Sequence, residues 1–227
     1  MKKNVVVLGL FFHLFLFSQE VQVNTELNSD GTSTVLSAYA KPIVTNYSEE
    51  SITGSKYHEE EYMIAEVYLD NKKIHKCAVR YDAYSDEIEV AANDKKYVLS
   101  KGEGIKTILK DYEYQRLDQK GNTGYFIIFN KNKETSLVLK AKKKIKEAVE
   151  PKSGFGNYVP PSFIKDYKYF IKNRAGDLTR IKLKKKDVLG ILKDKKEELE
   201  KFAASKKLKF KKEADLVKII NYYNTLL

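Results

Sequence analysis

The sequence predicts an α+β protein: an antiparallel β-rich body, built as a sandwich or a curved barrel-like sheet, with a C-terminal helical hairpin. Three observations predict it. Short runs rich in Val, Ile, Tyr and Phe recur roughly every ten residues, turn-forming residues fill the gaps between them, and the apolar period becomes helical after Leu183.

The runs span residues 62–69, 73–79, 87–91, 96–99, 110–117, 124–129 and 135–140, several with alternation of polar and apolar positions. Asp70-Asn71, Asn93-Asp94, Lys101-Gly102-Glu103-Gly104 and Gln119-Lys120-Gly121-Asn122 supply turn chemistry between them. Gly154, Gly156, Pro160 and Pro161 mark a loop, after which strands resume over 167–173 and 178–183 around an Ala175-Gly176-Asp177 turn. Val188, Leu192, Leu199, Phe202 and Ala203 then fall on one helical stripe. Gly190 within it costs about 1 kcal/mol relative to Ala, which predicts a break over 190–194. A last helix over 212–225 is expected to bury Leu216, Ile219, Ile220, Tyr223 and Leu226.

Residues 1–18 read as a cleavable export signal: Lys2 and Lys3 precede an apolar run over 5–17 that is too short to anchor in a bilayer. Gln19 and Glu20 stand where a lipid-modified cysteine would follow such a run. The organisation expected is thus a signal (1–18), an irregular arm (19–55) with one short strand near 33–36, a β-rich body (56–183) and a helical segment packed on it (184–227). Cys77 is the only cysteine, so no disulfide forms within the chain, and its apolar setting reads as core.

Charge divides along the chain. Residues 20–139 hold 15 Lys+Arg against 20 Asp+Glu, whereas residues 140–227 hold 25 against 11. A basic C-terminal part on an exported chain points to an anionic partner: lipid head groups, an acidic polysaccharide or an acidic protein of the cell envelope. No nucleic-acid module is present, and none is expected as a partner. Lys184, Lys185, Lys186, Lys206, Lys207, Lys209, Lys211 and Lys212 cluster at helix ends and are the candidate contact residues. Each adds about 1 kcal/mol beside an anionic bilayer, screened by salt.

Motifs for catalysis, cofactors or metals are not found. His58-Glu59-Glu60-Glu61 lacks a second histidine at helical spacing and reads as a solvated edge. Asp82, Asp86, Glu87 and Glu89 are the densest acids, the kind of set from which a fold assembles a hydrolytic carboxylate pair, and read by default as an exposed hairpin. The 16 tyrosines, with no tryptophan, suit a sheet with one wet face, and rows of Tyr also stack on sugars.

The stretch from Val79 to Glu89, the following Lys96-Tyr97, the Gly124-Tyr125-Phe126 strand and the closing helices through Tyr222-Tyr223-Asn224 resemble uncharacterised exported proteins of Bacteroidetes-type bacteria. The resemblance covers roughly residues 55 to 227 and implies a Gram-negative envelope, in the periplasm or at the outer-membrane periphery or cell surface. It brings no catalytic residue with it. Three classes of function stay open: a non-enzymatic envelope protein facing an anionic surface, a glycan- or lipid-binding sheet, and a carboxylate-dependent hydrolase.

Overall fold

The structure, a computed structural model, describes residues 40–42, 52–92, 95–151 and 157–227. The segments expected to form an export signal (1–18), most of an irregular arm with a strand near 33–36, and the Asn93-Asp94 turn lie outside the described residues, as do Gly154 and Gly156.

Eleven strands form one antiparallel sheet: β1 (Ala40–Pro42), β2 (Met63–Leu69), β3 (Lys72–Asp82), β4 (Glu87–Ala92), β5 (Lys95–Leu99), β6 (Ile105–Ile108), β7 (Glu113–Gln119), β8 (Asn122–Ile128), β9 (Ser136–Lys146), β10 (Ser162–Lys172) and β11 (Leu178–Ile181). Their order is β1-β5-β4-β3-β2-β6-β7-β8-β9-β10-β11. Most neighbours are joined by tight turns. Asp70 and Asn71 take φ of 48° and 65° between β2 and β3, and Lys120 and Gly121 take 54° and 80° between β7 and β8, the left-handed pairs that match hairpin twist.

The sheet curls until β3 meets β9, although four strands separate them in the order. The Lys143 amide donates to the carbonyl of Ala83, just past β3, at 2.9 Å, and the Tyr81 hydroxyl donates to the Ala141 carbonyl at 3.3 Å. Inside this roll pack Val67, Val79, Ile88, Val90, Ile127 and Leu139, with Tyr81, Tyr114 and Tyr125 among the largest fully buried side chains. The expectation of tyrosines on a wet face is corrected for these three: the roll is wide, and ring area fills it better than branched aliphatics. Cys77 is buried in the same core, where desolvation pushes its thiol up to about 12.

Three helices follow: α1 (Lys185–Ile191), α2 (Lys196–Ser205) and α3 (Glu213–Tyr223), with a short 3-10 turn over Lys193–Lys195 at the predicted break. Val188, Leu192, Leu199, Ala203, Leu216, Ile219, Ile220 and Tyr223 turn inward onto Leu137, Ile171 and Ile181 of the sheet, while Leu226 is half-buried. Phe202 stacks on Tyr222 at 4.0 Å.

Two asparagines fix the docking. Asn130, buried after β8, donates to the Val217 carbonyl (3.0 Å) and Asn221 Oδ1 (2.8 Å), and accepts from the Leu137 amide (2.9 Å). Asn224 exchanges bonds of 2.8 and 2.9 Å with the Thr135 backbone. The helices and the Leu137–Ile171–Ile181 side of the sheet therefore share a core of their own, beside that of the roll, and a polar seam. Among the described residues, no helix is long and apolar enough to cross a membrane.

Candidate anionic-surface site

All eight candidate lysines are exposed. They form two groups, one at the start of α1 and one in the α2–α3 connection. Lys184, Lys185 and Lys186 open α1; Lys185 and Lys186 line a shallow groove of about 630 Å³ with Lys193, Lys196 and Glu200, its apolar floor made by Leu189 and Gly190. Lys206, Lys207, Lys209, Lys211 and Lys212 occupy the α2–α3 connection.

That connection is ordered by its own bonds. Phe210 is buried in the helical core, leaving Lys209 and Lys211 exposed on either side of it. The Lys209 amide donates to Asp215 Oδ2 at 3.0 Å, and the Leu208 amide to the Ala203 carbonyl at 2.8 Å. Lys207 closes α2 at φ 55°, a helix-terminal position usually given to glycine. Among the described residues, only Lys185 of the eight pairs with a carboxylate, Glu200 at 3.3 Å.

A third basic group was legible in the sequence but not singled out. β9 carries Lys140, Lys142, Lys144 and Lys146 at alternate positions, and therefore on one face, beside Lys168 of β10. Asp166 lies 2.7 Å from Lys144 and 3.9 Å from Lys168. The period-two run from Lys140 to Lys146 is the signal; the strand runs to Lys146, past the predicted end at 140, because the inward Lys143 interrupts the apolar alternation. Its ammonium is satisfied by the Ser55 carbonyl at 2.7 Å, and burial lowers its pKa.

Three of the four acids expected on an exposed hairpin, Asp82, Asp86 and Glu89, make internal bonds that hold the fold together instead. Asp82 is buried, accepts the amides of Tyr84 and Ser85 (2.9 Å each) and pairs with Lys56 at 3.2 Å. Glu89 is buried between Arg80 (2.8 Å), Tyr57 (3.0 Å) and Tyr62 (2.8 Å). Asp86 takes the Tyr81 hydroxyl (2.6 Å) and Lys140 (2.8 Å). Burial lowers the Lys140 pKa, against the pull of Asp86.

Gly124 makes room for that pair, since a Cβ there would overlap Lys140 Nζ and Asp86 Oδ2. Gly124→Ala is expected to destabilise the protein by about 1–2 kcal/mol, because Lys140 would forfeit charge-assisted bonds in a partly buried site. Denaturant unfolding checks this; an unchanged midpoint would show that the pair relaxes freely.

His58 also departs from the solvated edge expected of it. The segment before β2 turns it inward against β10, where Nδ1 lies 2.9 Å from the Tyr167 hydroxyl and its ring meets Tyr112 edge-on. Burial first, then the charges of Lys165 and Lys143, lower its pKa to about 4. Among the described residues, no group of three His, Cys, Asp or Glu side chains is placed to hold a metal ion.

No family model matches the chain, and neither a curated protein nor a solved structure matches it.

Proposed function

We propose that this is a non-enzymatic protein of the cell envelope that docks on an anionic surface through its basic helical segment. One observation carries the reading: eight lysines stand exposed on two ordered helix ends, and only Lys185 has a carboxylate partner among the described residues. A solvated helix face ordinarily mixes the two signs and pairs many of them. Here the α2–α3 connection has a Lys at five of the seven positions from 206 to 212 and no acid.

Fixing such charges on structured backbone reduces the entropy lost on binding, relative to a lysine tail. The export signal over residues 1–18 supports an envelope location, where lipid phosphates, acidic polysaccharides and acidic protein faces are the available anions. Two features weigh against the alternatives. The interior of the roll is occupied by Tyr81, Tyr114 and Tyr125 where a sheet-bound glycan or lipid would lie, and Asp82, Asp86 and Glu89 are engaged in internal bonds.

Binding to an immobilised acidic polysaccharide and to phosphatidylglycerol vesicles tests the proposal. Affinity for at least one of them is expected to fall about tenfold or more between roughly 0.05 and 0.3 M salt. Affinity for neither, or affinity indifferent to salt, would contradict it.

A further inference from the structure

The groove at α1 has in its floor a glycine that the fold does not require. Gly190 lies within α1 at an exposed position, where glycine disfavours the helix. Its φ is not positive, and a Cβ built on it would meet nothing within 4 Å. Neither backbone conformation nor close packing therefore calls for glycine here. What the missing side chain does is leave the groove open.

Lys186, Gly190 and Lys193 follow at intervals of four and three, so one stripe of α1 and the turn after it carries a cation, a gap and a cation. Leu189, 4% exposed, adjoins the gap, Lys185 adds a further cation, and Lys196 and Glu200, one turn apart on α2, complete the lining. Four lysines thus face one acid, and that acid is held by Lys185 at 3.3 Å.

The volume, about 630 Å³, lies in the range of about 300–1,000 Å³ usual for small-molecule clefts. The lining has no hydroxyl, amide or aromatic side chain, so a sugar would find neither a planar polar partner nor a ring to stack on. The plane of a bilayer meets what protrudes and leaves a groove empty. What the groove offers is Leu189, the open surface at Gly190, and four apolar lysine stems with ammonium groups at their tips.

We infer that the groove lined by α1 and α2 binds a single-chain anionic amphiphile, a long-chain carboxylate of the fatty-acid class. Its methylenes lie over Gly190 and Leu189, and its carboxylate sits among the ammonium groups of Lys186, Lys193 and Lys196. The inference rests on the reading above, that the lysines of this segment meet anions, and names the one molecule taken at this place.

Calorimetric titration of the protein with dodecanoate, below its micelle concentration, tests it. Saturable binding of one dodecanoate per chain is expected. Octanoate, four methylenes shorter, and dodecyl maltoside, with the same chain and no charge, are each expected to bind about tenfold or more weakly. Gly190→Leu fills the gap and is expected to weaken dodecanoate binding about tenfold or more, while its thermal unfolding midpoint holds or rises, since leucine favours a helix over glycine. Lys186→Gln with Lys193→Gln, both exposed, is expected to weaken dodecanoate about tenfold and leave dodecyl maltoside unchanged.

Absence of saturable binding, equal affinity for dodecyl maltoside, or wild-type affinity for dodecanoate in either variant would overturn the inference. Binding of a galacturonate oligomer in place of dodecanoate, lost in Gly190→Leu, would also overturn it and assign the groove to a glycan. The wider reading fails separately: a wild type that binds dodecanoate but neither acidic polysaccharide nor phosphatidylglycerol vesicles would remove the anionic surface and leave the groove standing.

Discussion

Glu89→Ala is expected to destabilise the protein by about 3–5 kcal/mol, the loss typical of breaking a buried ion pair from one side. Glu89 is 5% exposed, and its partner Arg80 lies sandwiched, its guanidinium carbon 3.4 Å from the Tyr57 ring centroid and 4.4 Å from that of Tyr62. Both tyrosine hydroxyls donate to the Glu89 carboxylate, and Arg80 also donates to the Glu60 carbonyl at 3.1 Å. Burial alone would raise the Glu89 pKa, but the hydrogen bonds from Arg80, Tyr62 and Tyr57 hold it below the usual carboxylate range.

Truncation leaves a guanidinium between two rings with no anion and strands two hydroxyls. Replacing both partners, Arg80→Met with Glu89→Leu, removes the unpaired charge and is expected to cost about 2 kcal/mol less than Glu89→Ala alone. Chemical denaturation of the wild type, single and double variants measures the coupling. Equal losses for Glu89→Ala and the double variant would show that the pair does not act as a unit.

Acidification is the second large effect. His58 has a folded pKa of about 4 against an ordinary 6.5. Between those values the unfolded chain takes up a proton that the folded chain refuses. The His58 contribution is therefore fully present above pH 6.5 and declines as pH falls towards 4, by up to about 3 kcal/mol. Glu59, 3.6 Å from Nε2, favours the protonated ring, but its side chain is 52% exposed and water screens it. Burial of the imidazole and the cations of Lys165 and Lys143 prevail.

His58→Gln cannot take up that proton. Its stability is therefore expected to fall less than that of the wild type as the pH drops through this window. Glu113 and Glu213, whose pKa values burial raises, act in the opposite direction, so the comparison isolates the histidine. A wild-type and a variant profile that run parallel from pH 7 to 4 would contradict the account.

Local features of the fold were legible because they depend on local chemistry. Asp70-Asn71 and Lys120-Gly121 announced their hairpins, and the α1–α2 break fell where Gly190 weakens the helix. The stripe of α3 was read nearly whole from its spacing. β6 was missed, since four residues offer only two alternations beside a glycine-rich turn. β10 begins at Ser162, ahead of the predicted 167, because Ile164 and Lys165 are both exposed and blur the pattern.

What escaped the sequence is long-range. The closure of β3 on β9 joins residues some 60 positions apart, and this closure buries Tyr81 and sets Asp86 beside Lys140. His58 with Tyr167, and the Asn130 seam with Val217, are likewise pairings that no local period encodes. The candidate lysines were legible as exposed charge; the groove that Lys185 and Lys186 share with Lys193 and Lys196 depends on tertiary packing.

On the proposed reading, the ordered lysines of the helical segment carry the anionic contact. Its most direct test is the salt dependence of polyanion binding for the wild type and for a variant with Lys206, Lys207, Lys209, Lys211 and Lys212 changed to Gln. The variant is expected to bind more weakly at low salt and to show a shallower slope of affinity against salt, because fewer counterions are displaced. Equal affinity and equal slope for the two proteins would contradict it.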